Sequence, residues 1–217
     1  MKSLLVLTAT LIFSTFCIGQ QSDPNAKKLL DAVSAKFKTY KAIQATFTLR
    51  NEDNKGGTLG SKKGSASMKG QRYRVSIAGT GQEIYCDGAN IWTYDKSANE
   101  VTITKVDNGA NTITMQKVFT NFYDKDFLYK LNGDKTVNKK AVSEIEMTPV
   151  DKTKPFHKVY ILVDKNAKTM YSTRILDKSG SVVVYTIDTF NGNANLPDNL
   201  FVFDKNKYPG VEVIDLR

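Results

Sequence analysis

Between residues 43 and 190 the apolar side chains of this chain recur at every second position, and that period leaves little freedom in what it can fold into. Ile43, Ala45, Phe47 and Leu49 alternate with Gln44, Thr46, Thr48 and Arg50, so one side of the segment faces a core and the other faces water. The same alternation predicts strands around Ala66 and Met68 and over residues 73–77, 83–86, 91–94, 101–106, 142–147, 158–163, 169–176 and 182–190. Between them stand "AGTG", "DGAN", "DKSANE", "DKNAK" and "DKSGS", whose Gly, Asn and Asp residues suit tight turns. Short turns join antiparallel neighbours. The expected fold is therefore mainly β within the α+β class, a single curved sheet of roughly ten strands with helices on one face.

Two segments carry the helical period instead. In "DPNAKKLLDAVSAKFKTY" Leu29, Leu30, Val33 and Phe37 form one stripe, with Asp23 as N-cap and Pro24 at the first helical position. In "TITMQKVFTNFYDKDF" Met115, Val118, Phe119, Phe122 and Tyr123 recur at helical spacing, which predicts a short helix over part of residues 112–127.

The N-terminus, Lys2 followed by an apolar run from Leu4 to Ile18 and then Gly19, has the form of a secretory signal. The run is shorter than the ~20 residues of a membrane helix. Residues 1–19 are expected as signal peptide and residues 20–217 as one domain. Phe16 and Ser14 occupy positions that a lipidation signal at Cys17 would fill with a small residue and a leucine. Without the signal only Cys86 remains, so no internal disulfide is expected. Removal of Lys2 leaves 30 basic residues against 22 acidic ones. In an exported protein that surplus points to anionic lipid or an acidic partner rather than to nucleic acid.

Catalytic constellations are hard to assemble from these residues. The single histidine, His157, opens a predicted strand and has the setting of a surface residue. Cys86 has no base nearby and stands at the foot of the Asp87-Gly88 turn, the place of an inert thiol. Glu144 and Glu146 share one strand face, where a carboxylate pair for sugar hydrolysis and a plain solvated face are both conceivable. "GGTLGSKKG" lacks the ending of a phosphate loop and reads as a flexible hairpin connection. No carboxylate or Cys/His spacing suits calcium or zinc, so neither metal nor cofactor is expected.

What exceeds the needs of one sheet face is apolar surface. In "IYC" and "NIWTY" both faces are apolar or aromatic, and either a larger core or a cavity between sheet and helices would account for it.

In order along the chain, the helix running into "IQATFTL", the strand ending near "MKGQRYRV", the "DGANIWTYD" hairpin, "MQKVFTNFY" and the ending "LPDNLFVFDKNKYPGVEVIDL" resemble the LolA-type periplasmic lipoprotein carriers. The resemblance implies an unclosed antiparallel β-barrel of roughly ten to eleven strands with helices forming a lid. It implies a monomeric carrier, not an enzyme, that binds lipoprotein acyl chains and moves them from the inner to the outer membrane. An inner-membrane lipoprotein-releasing ABC transporter would load it, and an outer-membrane acceptor or the membrane surface would unload it.

Exposing a chain of about sixteen carbons to water would cost on the order of 12 kcal/mol, so such cargo needs a carrier. The implied cavity and lid residues are Leu29, Val33, Phe37, Phe47, Met68, Val75, Ile84, Trp92, Tyr94, Met115, Val118, Phe119 and Phe122. The family often fastens its lid with an arginine followed by proline after the strand lysine. Here Lys69 is followed by Gly70 and Gln71, which leaves Arg72 or Arg74 as a shifted latch. The alternative is a periplasmic lipid-binding sensor or regulatory module of envelope signalling, for which a second domain beyond "VIDLR" would be expected.

Overall fold

The computed structural model describes residues 22–53, 55–106 and 123–217. The stretch expected as signal peptide lies outside them, as do Met115, Val118, Phe119 and Phe122.

Alternation becomes one sheet of twelve strands: β1 (Ile43–Glu52), β2 (Thr58–Lys69), β3 (Arg72–Ile77), β4 (Gln82–Cys86), β5 (Asn90–Asp95), β6 (Glu100–Lys105), β7 (Phe127–Val137), β8 (Lys140–Pro149), β9 (Phe156–Asp164), β10 (Thr169–Asp177), β11 (Val182–Asn191) and β12 (Glu212–Asp215). Their order is β12-β6-β5-β4-β3-β2-β1-β11-β10-β9-β8-β7, and the edge strands β12 and β7 do not pair, so the sheet is unclosed. Every pairing is antiparallel except β12 beside β6. The count exceeds the expected ten to eleven because β7 and β12 are additional.

β7 was hidden by its own sequence. Phe127, Tyr129 and Leu131 continue the aromatic run of the helical segment, and a register shift between Leu131 and Gly133 breaks the alternation. The "GGTLGSKKG" stretch also differs from expectation, since only its start is a turn and Thr58–Lys69 is one long strand.

Helix α1 (Pro24–Lys38) starts where its sequence says it should. The Asp23 carboxylate accepts from the amides of Asn25 at 2.8 Å and Ala26 at 3.4 Å. Its second oxygen accepts from the Leu131 amide at 3.0 Å, and the Asp23 amide donates to the Tyr129 carbonyl at 2.9 Å. One residue thus caps the helix and ties its first turn to β7. Beyond that clamp Ala26, Leu30 and Val33 pack on Tyr129, Ile145, Met147, Val159, Ile161 and Val163, the main core. Helix α2 (Tyr123–Asp126) adds Tyr123, whose hydroxyl donates to Asp31 at 2.7 Å.

Met147 is fully buried in that core. Met147→Ala is expected to cost about 2–5 kcal/mol of stability, seen as a lower urea midpoint with an unchanged denaturant slope.

An apolar cavity as candidate functional site

α1 covers only part of the face on which it lies. Beside it, on the same face, opens a cavity of about 470 Å³ whose wall is drawn from α1, β1–β5, β10 and β11. Val33, Phe37, Phe47, Met68, Val75 and Ile84 line it, as does Ile91. Tyr185 and Phe190, 37% and 38% exposed, also belong to its wall and mark where it meets solvent. A larger cavity of about 630 Å³ lies on the opposite face, but Arg50, Lys135, Glu144, Arg174 and Asp188 make its wall charged. Apolar lining with few polar groups is the general character of ligand cavities, which singles out the first.

Two rings of the wall are seated on glycines. A Cβ at Gly64 would stand 2.3 Å from Phe47 Cζ, and one at Gly192 would stand 2.1 Å from Tyr40 Cδ1. Gly64 pairs with Phe47 across β1 and β2, so the ring lies flat along the neighbouring strand rather than filling the cavity. Tyr40 then meets Phe190 at 5.1 Å between centroids, and Phe47 meets Tyr185 at 6.2 Å. In its Lys-rich run Gly64 has the look of a loop residue, and the signal for its role is its place opposite an inward phenylalanine.

Three expectations change. Leu29 packs against the core under α1 rather than lining the cavity. Trp92 and Tyr94 stand on the opposite face from Ile84 and Ile91. There they join Tyr85 and Val101 in a cluster closed by Phe203, Tyr208 and Val211 of the C-terminal segment. Tyr94 lies 5.4 Å from Phe203 and 4.4 Å from Tyr208, centroid to centroid. Strand alternation puts Trp92 and Ile91 on opposite faces, and this aromatic partner, more than a hundred residues later, decides which faces the cavity.

Neither arginine pairs with α1 or α2 among the described residues. Arg72 Nη1 pairs with Asp198 at 2.8 Å, and Lys69 Nζ reaches the same carboxylate at 2.8 Å and the Leu196 carbonyl at 3.2 Å. The two cations pin the C-terminal crossing instead. Arg74 pairs with Glu83 at 2.6 Å and lies 4.8 Å above the Tyr85 ring, on the face of the aromatic cluster. Burial first, then hydrogen bonds to Tyr208 and Glu83, push the Tyr85 hydroxyl up.

The remaining chemistry-bearing residues stand outside the apolar cavity, and Glu144 and Glu146 share the Asn132 side-chain amide, which donates to each at 3.3 Å. Cys86 is 1% exposed and burial pushes its thiol up, away from the reactive thiolate. Glu146 pairs with Lys158 at 2.6 Å, Glu144 pairs with Lys135, and His157 is exposed on β9. Among the described residues no three His, Cys, Asp or Glu side chains converge on a possible metal site.

Gly64→Ala should push the Phe47 ring into the cavity, removing most uptake of an apolar dye while costing about 1–3 kcal/mol of stability. Adding Phe47→Ala should restore uptake; failure to restore it would show that the ring is not the obstruction. Separately, hydrogen bonds from Lys69 and then Arg72 hold Asp198 down at about 2, against an ordinary 3.8. A depressed carboxylate contributes stability that is present above its unfolded value and is lost as pH falls from 3.8 toward about 2. The stability gap between wild type and Asp198→Asn, followed by urea titration, should be constant above about pH 5 and shrink across that window.

Comparison with known proteins agrees with the architecture. The model of the family described as outer membrane lipoprotein carrier protein LolA matches residues 38–204. An outer-membrane lipoprotein carrier protein of Cupriavidus pinatubonensis is 27% identical over 172 residues, 75% of this chain and 77% of that protein. Among solved structures, an uncharacterized conserved protein from Thermus thermophilus superposes with a TM-score of 0.60 at 14% identity, covering 88% of this chain and 99% of its own. The Mycobacterium tuberculosis lipoprotein LppX gives 0.51 at 10% identity, over 81% of this chain and 100% of its own. Such identities speak for the fold alone, whereas the family match spans most of the chain. With its unclosed sheet, partial helical cover and apolar cavity, this chain belongs to the LolA family of outer membrane lipoprotein carriers.

Proposed function

We propose that this protein carries acylated lipoproteins across the periplasm, with the acyl chains held in the cavity beside α1. The observation that carries the reading is the wall itself: Phe37, Phe47, Met68, Val75, Ile84 and Ile91 present a continuous apolar surface to a space open to solvent. Each methylene moved from water to such a wall gains roughly 0.8 kcal/mol, and the gain is insensitive to the identity of the attached protein. Met68 and Met170 add unbranched, adaptable side chains, which suits cargo of varied chain length.

Loading and release need no bond to form or break. The first turn of α1 is tied to β7 through Asp23, while Val33 and Phe37, further along, reach the cavity. A chain lying against those two side chains leaves when they withdraw, so the lid role falls on this half of α1. Residues 1–19 direct export and are removed, and the mature chain works as a monomer. It receives lipoproteins from an inner-membrane releasing ABC transporter and delivers them to an outer-membrane acceptor or to the membrane surface.

Protein purified from a native-like host is expected to bring down lipoproteins or acyl lipid detectable by mass spectrometry. Ile84→Asp, which sets a charge in the wall, should reduce the recovered lipid about tenfold or more, the equivalent of ~1.4 kcal/mol or above. Delipidated wild-type protein without affinity for an acylated peptide would overturn the proposal.

A further inference from the structure

The wall of the apolar cavity holds one charged residue among the described residues, Lys168. Burial of acyl chains does not call for it. Lys168 stands in the turn between β9 and β10, exposed, with φ at 54°, the left-handed region that glycine or asparagine occupies more readily than a long side chain. The turn supplies no counter-charge. Asp164 accepts from the amides of Asn166 and Ala167, each at 2.9 Å, and pairs with Lys140 at 3.3 Å. Lys168 gives its own amide to the Asp164 carbonyl at 2.9 Å, and its ammonium has no acidic partner among the described residues.

The polar side chains beside it are grouped as well. Thr169, Ser172 and Thr173 of β10 are the hydroxyl-bearing residues of the wall other than its tyrosines. At the Tyr40 side, the Lys36 ammonium lies 5.7 Å from the Tyr40 ring centroid, again with no carboxylate partner among the described residues. No acidic residue among the described ones lines the cavity. The one charge that the described wall carries is therefore positive, and a strained backbone position is occupied by the residue that supplies it.

We propose that the cavity selects acyl amphiphiles with an anionic head, the head lying at Lys168 and the chain along Phe47, Met68 and Ile84. This rests on the reading of the cavity as an acyl-chain site and adds a head-group preference to it. A fatty-acid carboxylate and a lipid phosphate share the required chemistry, an anion joined to a long chain.

The test uses delipidated full-length mature protein at low salt with three probes: palmitate, palmitoyl lysophosphatidylglycerol and the uncharged monopalmitoylglycerol. Wild type should bind at least one anionic probe about fivefold more tightly than the uncharged one, the worth of a solvent-facing ion pair of ~1 kcal/mol. Preference for palmitate would mark a fatty acid as the source, and preference for the lysophospholipid a phosphate head. In Lys168→Gln the anionic-to-uncharged ratio should fall to about one, and salt of about 0.15 M, with a screening length of ~8 Å, should reduce it in wild type. Lys168→Gly should lose the ratio too while melting no lower than wild type, since glycine accepts the left-handed backbone, so misfolding cannot account for the loss. Equal binding of all three probes, or a ratio that survives both substitutions, overturns the head-group proposal and leaves the acyl-chain site standing. Failure to bind any of the three overturns both.

Discussion

A single sheet that does not close must have its apolar face covered by something else, and here the cover is too small for the sheet. Twelve strands at ~4.8 Å spacing span more than ~50 Å, whereas a helix is ~10–12 Å across with its side chains. α1 therefore seals the face over β7–β9, where Ile145, Met147 and Val163 become fully buried, and runs out over β10 and the strands beyond. The side chains of β1–β5 that point the same way are as apolar as those of a core, but among the described residues they meet a cavity instead of a helix. The candidate site is the part of the core that this cover leaves unfinished.

The opposite face has the same problem over β4–β6 and a different solution. Chain leaving β11 crosses the strand ends, is pinned by Lys69 and Arg72 through Asp198, and lays Phe203 and Tyr208 on Tyr85, Trp92 and Tyr94. It then pairs as β12 alongside β6, which protects that edge of the sheet. Both halves of the "NIWTY" strand are thus apolar for separate reasons. Ile91 faces a cavity, and Trp92 and Tyr94 face a folded-back tail.

Much of this was legible in the sequence. Period two marked ten of the strands, the Asp23-Pro24 cap marked the start of α1, and the order of motifs along the chain identified the family. What could not be read was which face each strand turns inward, because alternation fixes the parity of Ile91 and Trp92 and leaves the choice to long-range partners. Nor could local pattern separate a cavity wall from a core, since Val75 or Ile84 would look the same in either. β7 escaped because a bulge at Gly133 breaks its period, and Gly64 escaped because a glycine in a Lys-rich run resembles a turn until its partner across the strands is known to be Phe47.

Leaving part of a core unfinished has a cost, since apolar wall in contact with water forgoes roughly 25 cal/mol for each Å² that a closed core would bury. The main core beneath α1, the aromatic cluster on the other face and the small cluster of Ala42, Leu196 and Phe201 are closed, so stability rests on these while the cavity remains available. A bound chain would restore the missing burial and stabilise the folded protein in proportion to the logarithm of ligand excess over its dissociation constant. In the proposed carrier role the same apolar term would drive loading and limit release, because whatever burial the wall offers must be matched at the point of delivery. Lining the space with thin, adaptable contacts such as Met68, and seating the bulky Phe47 and Tyr40 rings over glycines, keeps the wall apolar without filling it. A closed core of the same residues would be more stable and would leave no cavity.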